Sequence, residues 1–157
     1  MGLFSKKKKN IFSPAEGEII ALDQVEDELF SKKMLGDGFA VIPSDGNFYA
    51  PCSGTITLFH KANHAFGITT EDGLEVLVHV GLDTVELGGE GFTPILSEGQ
   101  KVQAGDLILK TNLKLLEDRG LKTVTPVTIV NFQDYSISDI NYKADFKTPV
   151  LQYEKIG

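Results

Sequence analysis

The chain has 157 residues, 41% of them apolar, with one cysteine and a formal net charge of −7. That length suits one domain able to bury about 70% of its unfolded surface without a disulfide or metal, and the lone Cys52 excludes an intramolecular bridge and fits a reducing compartment. No apolar run approaches the roughly 18 residues of a membrane span, and the amino terminus lacks the apolar segment of a secretory signal, so a cytoplasmic protein is expected.

The charge is unevenly spread. Lys6, Lys7, Lys8 and Lys9 carry +4, which leaves about −11 on the remainder. An acidic body of this kind argues against a nucleic-acid partner. The lysines would each gain about 1 kcal/mol near an anionic membrane. Leu3 and Phe4 alone, however, do not make an amphipathic helix, and position 6 is Lys where myristoylation wants Ser or Thr. Residues 1–10 therefore read as a flexible basic tail and 11–157 as a single domain.

From Ile11 onward, short apolar or alternating runs are punctuated by Gly and Pro about every ten residues, the pattern of an all-β antiparallel sandwich or barrel with short helical turns. Strands are expected at 17–22, 38–43, 54–59, 65–69, 74–81, 107–110, 127–130 and 149–153. The one convincing helix is 113–119, with Gly120 placed to end it. Pro14-Ala15-Glu16-Gly17-Glu18-Ile19 and Pro51-Cys52-Ser53-Gly54-Thr55-Ile56 form a weak internal repeat, and Gly99 and Gly105 flank a turn that feeds a strand. Such patterns also occur in biotinyl and lipoyl carrier domains. Those present a lysine at an exposed hairpin tip, whereas the tip here is Glu71-Asp72-Gly73.

Two histidines flank that tip. A four-residue loop at 70–73 sets His64 directly opposite His79, and a two-residue Asp72-Gly73 turn sets them diagonal. In both cases side-chain alternation puts them on one face, together with Ala62, Phe66, Ile68 and Leu77. Only an odd-length loop or a bulge would separate them. Apolar surroundings lower a histidine pKa and leave a neutral nitrogen near pH 7, whereas the plain alternative is a satisfied core pair. His79 is the better nucleophile, because Gly81, Asp83 and Thr84 follow it at the strand's end. Gly81 either admits another chain's backbone or is an ordinary kink, and Asp83 and Thr84 serve equally as turn formers. His64 would then donate a hydrogen bond to an anion on His79. A three-histidine zinc site, as in a zinc-dependent hydrolase, would add His60, but positions i and i+4 on a strand stand about 13 Å apart. A two-histidine zinc site on His64 and His79, completed by a partner's carboxylate, is geometrically easier.

The segments Asn63-His64-Ala65-Phe66, Glu75-Val76-Leu77-Val78-His79-Val80-Gly81-Leu82-Asp83-Thr84-Val85-Glu86-Leu87 and Gly89-Glu90-Gly91-Phe92 closely resemble the glucose-type enzyme IIA family of the bacterial phosphoenolpyruvate-dependent sugar phosphotransferase system. The likeness extends through Met1-Gly2-Leu3-Phe4, Leu35-Gly36-Asp37-Gly38, Glu98-Gly99-Gln100-Lys101-Val102 and Val124-Thr125-Pro126-Val127. It implies a β-sandwich phosphocarrier in which His79 accepts a phosphoryl group from phosphorylated HPr and passes it to a cysteine of a IIB domain, with His64 contacting the group. Phe30, Leu35, Phe66, Leu77 and Val80 match the apolar ring where HPr and IIB dock, and Gly81 and Asp83 belong to the same surface. No cofactor is required. Regulatory targets, an intermolecular zinc and the sugar itself are left open, as is a non-catalytic regulatory module. Two positions depart from the family: Ala62 stands where a threonine commonly helps orient the nucleophile, and His60 where relatives carry an apolar aromatic.

Overall fold

The computed structural model describes residues 8–156. The expected tail at 1–7 lies outside the described residues. Its expected boundary at residue 10 is corrected, because Lys9–Ile11 forms strand β1, paired antiparallel with β13 (Leu151–Lys155).

The expectation of an all-β sandwich holds. A seven-stranded antiparallel sheet runs in the spatial order β2 (Gly17–Ala21), β3 (Asp37–Pro43), β11 (Thr125–Ile129), β7 (Glu75–His79), β6 (Ala65–Thr69), β5 (Gly54–Phe59) and β9 (Lys101–Val102). Two three-stranded sheets accompany it: β4 (Asn47–Tyr49), β10 (Leu107–Thr111) and β8 (Phe92–Pro94), and β1, β13 and β12 (Tyr135–Ile137). The strands expected at 54–59 and 65–69 coincide with β5 and β6, and the other six differ by at most two residues at an end. Alternation could not announce β1, β4, β8, β9 and β12, which are only two or three residues long. The helix expected at 113–119 is α2 (Leu113–Asp118), with the Asn112 side chain accepting from Leu115 N–H at 3.1 Å. A further helix, α1 (Glu28–Ser31), was too short to show a period; Asp27 caps it by accepting from Leu29 N–H at 3.0 Å.

The main core fills the space between the large sheet and the two small ones. Phe39, Val41, Ile56, Phe66, Ile68, Val76, Val78, Val127 and Ile129 of the large sheet meet Ile11, Phe48, Ile108, Leu109 and Leu151. Each such side chain contributes about 1.5–3 kcal/mol on burial. The opposite face of the large sheet carries a small satellite cluster, Leu22, Val25, Phe30, Ala40 and Leu82, edged by Ile20, Leu35 and Val124. The Pro-x-x-Gly repeat marks two strand starts against which a neighbour's carbonyl presses. A Cβ at Gly17 would lie 2.0 Å from the Ile42 oxygen, and one at Gly54 2.3 Å from the Thr69 oxygen.

The β6–β7 hairpin corrects the parity argument. Thr70 N–H donates to the Leu74 carbonyl at 2.9 Å, leaving a three-residue loop at 71–73, and the register pairs Ala65 with His79 and Phe66 with Val78. Phe66 and Ile68 therefore point with Val76 and Val78 into the main core, while His79 and Leu77 lie on the other face. The side chain of Asp72 draws the odd loop together by accepting from the Thr70 hydroxyl, which itself accepts from Leu74 N–H at 3.0 Å.

Candidate functional site

His79 is the last residue of β7, a central strand of the large sheet, on the face opposite the main core. Its Nδ1 lies 2.7 Å from the Gly81 carbonyl oxygen. A carbonyl only accepts, so the ring proton sits on Nδ1 and Nε2 keeps its lone pair. Gly81 makes this possible with a φ of +76°, and a Cβ there would meet Lys122 O at 2.8 Å and Thr84 Cγ2 at 2.5 Å. The segment around it is fixed from both sides. Val80 N–H donates to His64 O at 2.8 Å, Leu82 N–H to Lys122 O at 3.0 Å, and the buried Thr84 hydroxyl to Val80 O at 2.6 Å.

His64 lies outside β6, and strand alternation does not govern its ring. It follows Asn63, whose φ of +65° closes a tight β5–β6 turn in which His60 N–H donates to Ala65 O at 2.9 Å and Asn63 N–H to His60 O at 2.8 Å. The turn swings the His64 ring to 4.9 Å, centroid to centroid, from His79, nearly perpendicular to it at 78°. The odd register that should have parted the two imidazoles is thus offset by a left-handed residue next to one of them. The same turn brings His60 to 4.4 Å from His64, far closer than a straight strand would allow.

Both rings sit in an apolar setting. His64 is 3% exposed, and burial, followed by the neighbouring His79 and His60, brings its pKa down to about 4. Its Nδ1 is buried without a hydrogen-bond partner among the described residues. Burial also lowers the His79 pKa; the bond to Gly81 and the carboxylates of Asp27 and Asp83 oppose that shift, and His60 adds to it. Both imidazoles are therefore neutral near pH 7.

Around them, Phe30 packs its ring 5.2 Å from His79, and Phe92 lies 6.4 Å from His64. Leu35 and Leu77 are half-buried, and Asp83 is exposed in a left-handed conformation at the head of a 3-10 turn, Thr84–Leu87. Phe30, Phe66, Val80 and Gly81 are buried in this chain by itself; Phe66 and Val80 line the main core and support the site from behind. Sequence reasoning missed Asp27 and Phe92. Asp27 carried a usable signal, an acidic capping residue before Glu28-Leu29-Phe30, and Phe92 ends the Gly89-Glu90-Gly91-Phe92 segment of the family resemblance, although no periodicity places it beside His64. Among the described residues no three His, Cys, Asp or Glu side chains group to hold a metal ion, so the hydrolase reading with His60, His64 and His79 as ligands has no site.

The family described as "phosphoenolpyruvate-dependent sugar phosphotransferase system, EIIA 1" matches residues 9–135. The chain belongs to this EIIA family. It is accordingly a phosphotransferase component. A glucose-specific EIIA component of Mycoplasma capricolum is 42% identical over 128 residues, covering 82% of this chain and 83% of that protein. A glucose-specific EIICBA component of Streptococcus pneumoniae is 49% identical over 128 residues, of whose length the chain spans only 18%. The solved structure of glucose permease IIA from Mycoplasma capricolum superposes with a TM-score of 0.90 at 37% identity, over 97% of this chain and 99% of that one. No helix among the described residues is long and apolar enough to cross a membrane.

Proposed function

We propose that this chain is a cytoplasmic phosphocarrier that takes a phosphoryl group from phosphorylated HPr onto Nε2 of His79 and hands it to a cysteine of a IIB domain of a sugar permease. The carrying observation is the 2.7 Å bond from His79 Nδ1 to the Gly81 carbonyl, which aims an unprotonated Nε2 away from the backbone. In the first step that lone pair forms a bond to phosphorus while the bond from phosphorus to the donor breaks. In the second a cysteine thiolate attacks phosphorus, the bond to Nε2 breaks, and its electron pair returns to the ring. The proton stays on Nδ1 throughout, donated to the Gly81 carbonyl oxygen, which steadies the positive charge that a phosphorylated imidazole develops.

His64 is the second functional group. Neutral near pH 7 and buried, it has one N–H to give to a phosphoryl oxygen, in a water-poor setting where a hydrogen bond to a charged group contributes about 1.5–3 kcal/mol. Partners dock over the half-buried Leu35 and Leu77 and the exposed Asp83, with Phe30, Phe66, Val80 and Gly81 as the supporting layer. IIB is favoured as acceptor because EIIA segments are fused to EIIB and EIIC parts in relatives named EIICBA and EIIBCA. Glucose is the sugar we assign, from the names of relatives that the chain matches over most of their length. Transfer needs no metal. A zinc ion at a partner interface would find two imidazoles here, His64 and His79, and would need its remaining ligands from the partner.

The test is the intact mass of the wild type and of His79→Ala after incubation with phosphoenolpyruvate, enzyme I and HPr. One acid-labile phosphoryl group on the wild type alone is expected. Full uptake by His79→Ala would overturn the assignment.

A further inference from the structure

The turn that delivers His64 also delivers a third imidazole. His60 is exposed just past the end of β5, and its Nδ1 accepts from Ala62 N–H at 3.0 Å. A ring nitrogen that accepts carries no proton, so the His60 proton is on Nε2. The bond reaches two residues along the chain, the span of the turn that Asn and Asp side chains make, and it folds the ring back over the loop. There it meets His64 at 4.4 Å with the ring planes 59° apart.

His64 needs such a neighbour. Its Nδ1 has no hydrogen-bond partner among the described residues, and Ala62, two positions before it, offers no hydroxyl. The orientation of this buried ring is left to its ring contacts, and the one with His60 is shorter than those with His79 at 4.9 Å and Phe92 at 6.4 Å. A donor that must meet a developing charge gains its effect from being held in place beforehand.

We propose that His60 is a positioning residue for phosphoryl transfer: anchored by Ala62 N–H, its ring fixes the plane of His64, so that His64 directs its N–H at the group carried by His79. This rests on the phosphocarrier reading. On this account His60 acts through His64, the ring it packs against.

Two variants separate the parts. His60→Asn keeps an acceptor for Ala62 N–H and removes the ring, whereas His60→Phe keeps a ring and removes the acceptor. With phosphorylated HPr as donor, His60→Asn is expected to lose kcat roughly 10-fold at an unchanged KM, the signature of lost orientation rather than lost docking. His60→Phe should fall between it and the wild type. In ¹⁵N spectra of the histidine rings, the His64 signals should move or broaden in His60→Asn. A His60→Asn variant with wild-type kcat and unmoved His64 signals overturns the proposal. So does a raised KM at constant kcat, which would make His60 a docking contact, or a His60→Phe slower than His60→Asn, which would reduce its role to holding the loop. Wild-type uptake in the same experiment keeps the two ideas apart: none at all defeats the phosphocarrier reading, whereas normal uptake with unimpaired variants defeats only the role of His60.

Discussion

The two ends of the β6–β7 hairpin are built on opposite terms. At the tip, Asp72 uses nearly every acceptor it has. Its carboxylate accepts from the Thr70 hydroxyl and from Tyr153 OH at 3.3 Å and pairs with Lys9 at 3.3 Å, while its carbonyl accepts from Tyr135 OH at 2.7 Å. Asn131 adds a bond to Gly73 O at 2.9 Å and accepts from Glu75 N–H at 2.9 Å. At the other end two neutral imidazoles lie against each other with one nitrogen of His64 unpartnered among the described residues, and Nε2 of His79 keeps its lone pair. A saturated hydrogen-bond network holds strands together; an unsaturated one leaves a donor and a nucleophile available for an incoming group. The hairpin thus has a clamped end and a reactive end, the clamp joining β1, β12 and β13 to the strands that present the histidines.

That contrast can be broken most severely at Gly81. Gly81→Ala forces a side chain into backbone with a φ of +76° and against Lys122 O, and should cost about 2–4 kcal/mol of stability. It should also slow phosphoryl uptake, because the carbonyl that holds His79 shifts. Urea denaturation and the uptake assay measure the two effects, and an unchanged uptake rate would detach Gly81 from the reactive end.

At the clamp, Asp72→Ala should cost about 1–3 kcal/mol by leaving the side chains of Thr70, Tyr153 and Lys9 with fewer partners, yet leave the extent of phosphorylation as it is. Burial raises the Asp72 pKa, but the hydrogen bonds from Thr70 and Lys9 and the charge of Lys9 outweigh it, so the folded value lies below the ordinary one. The contribution is therefore present above the unfolded pKa of about 3.9 and is lost as pH falls through the folded value. Chemical denaturation of wild type and variant at pH 7 and pH 3 checks both magnitude and sign, and the gap between them should shrink in acid.

His64→Gln sharpens the other end. It should still accept a phosphoryl group but transfer it to IIB about 10-fold or more slowly. The folded chain keeps His64 unprotonated down to about pH 4, whereas an unfolded histidine binds a proton below about 6.5. Stability therefore declines as pH drops from about 6.5 to about 4, by on the order of 2–3 kcal/mol for this group, and the decline should be shallower in the variant. The smallest effect belongs to Lys9→Ala: a half-exposed ion pair contributes about 0–1 kcal/mol, so its removal should barely move the denaturation midpoint.

Much of the architecture and of the site was legible in the order of residues. Apolar alternation and glycine punctuation placed eight strands and the sandwich class, because side chains facing a core and a solvent must alternate. The motif around His64 and His79 singled out the two imidazoles and the family. What it could not supply was the hairpin register. Glu71-Asp72-Gly73 is compatible with several loop lengths, and the odd one is favoured by Asp72, whose carbonyl accepts from Tyr135 and whose carboxylate accepts from Tyr153, both more than 60 residues away. That choice sent Phe66 inward and Leu77 outward. It also left the meeting of the histidines to the left-handed Asn63, a local twist that no periodicity announces. The five strands of two or three residues likewise exist because longer neighbours pair with them. Only tertiary structure brought His60 onto His64, since a turn replaces the straight strand that their spacing implied. Alternation is a local property and survives in the sequence; register, turn geometry and the contacts of a buried nitrogen depend on what the rest of the chain packs against them.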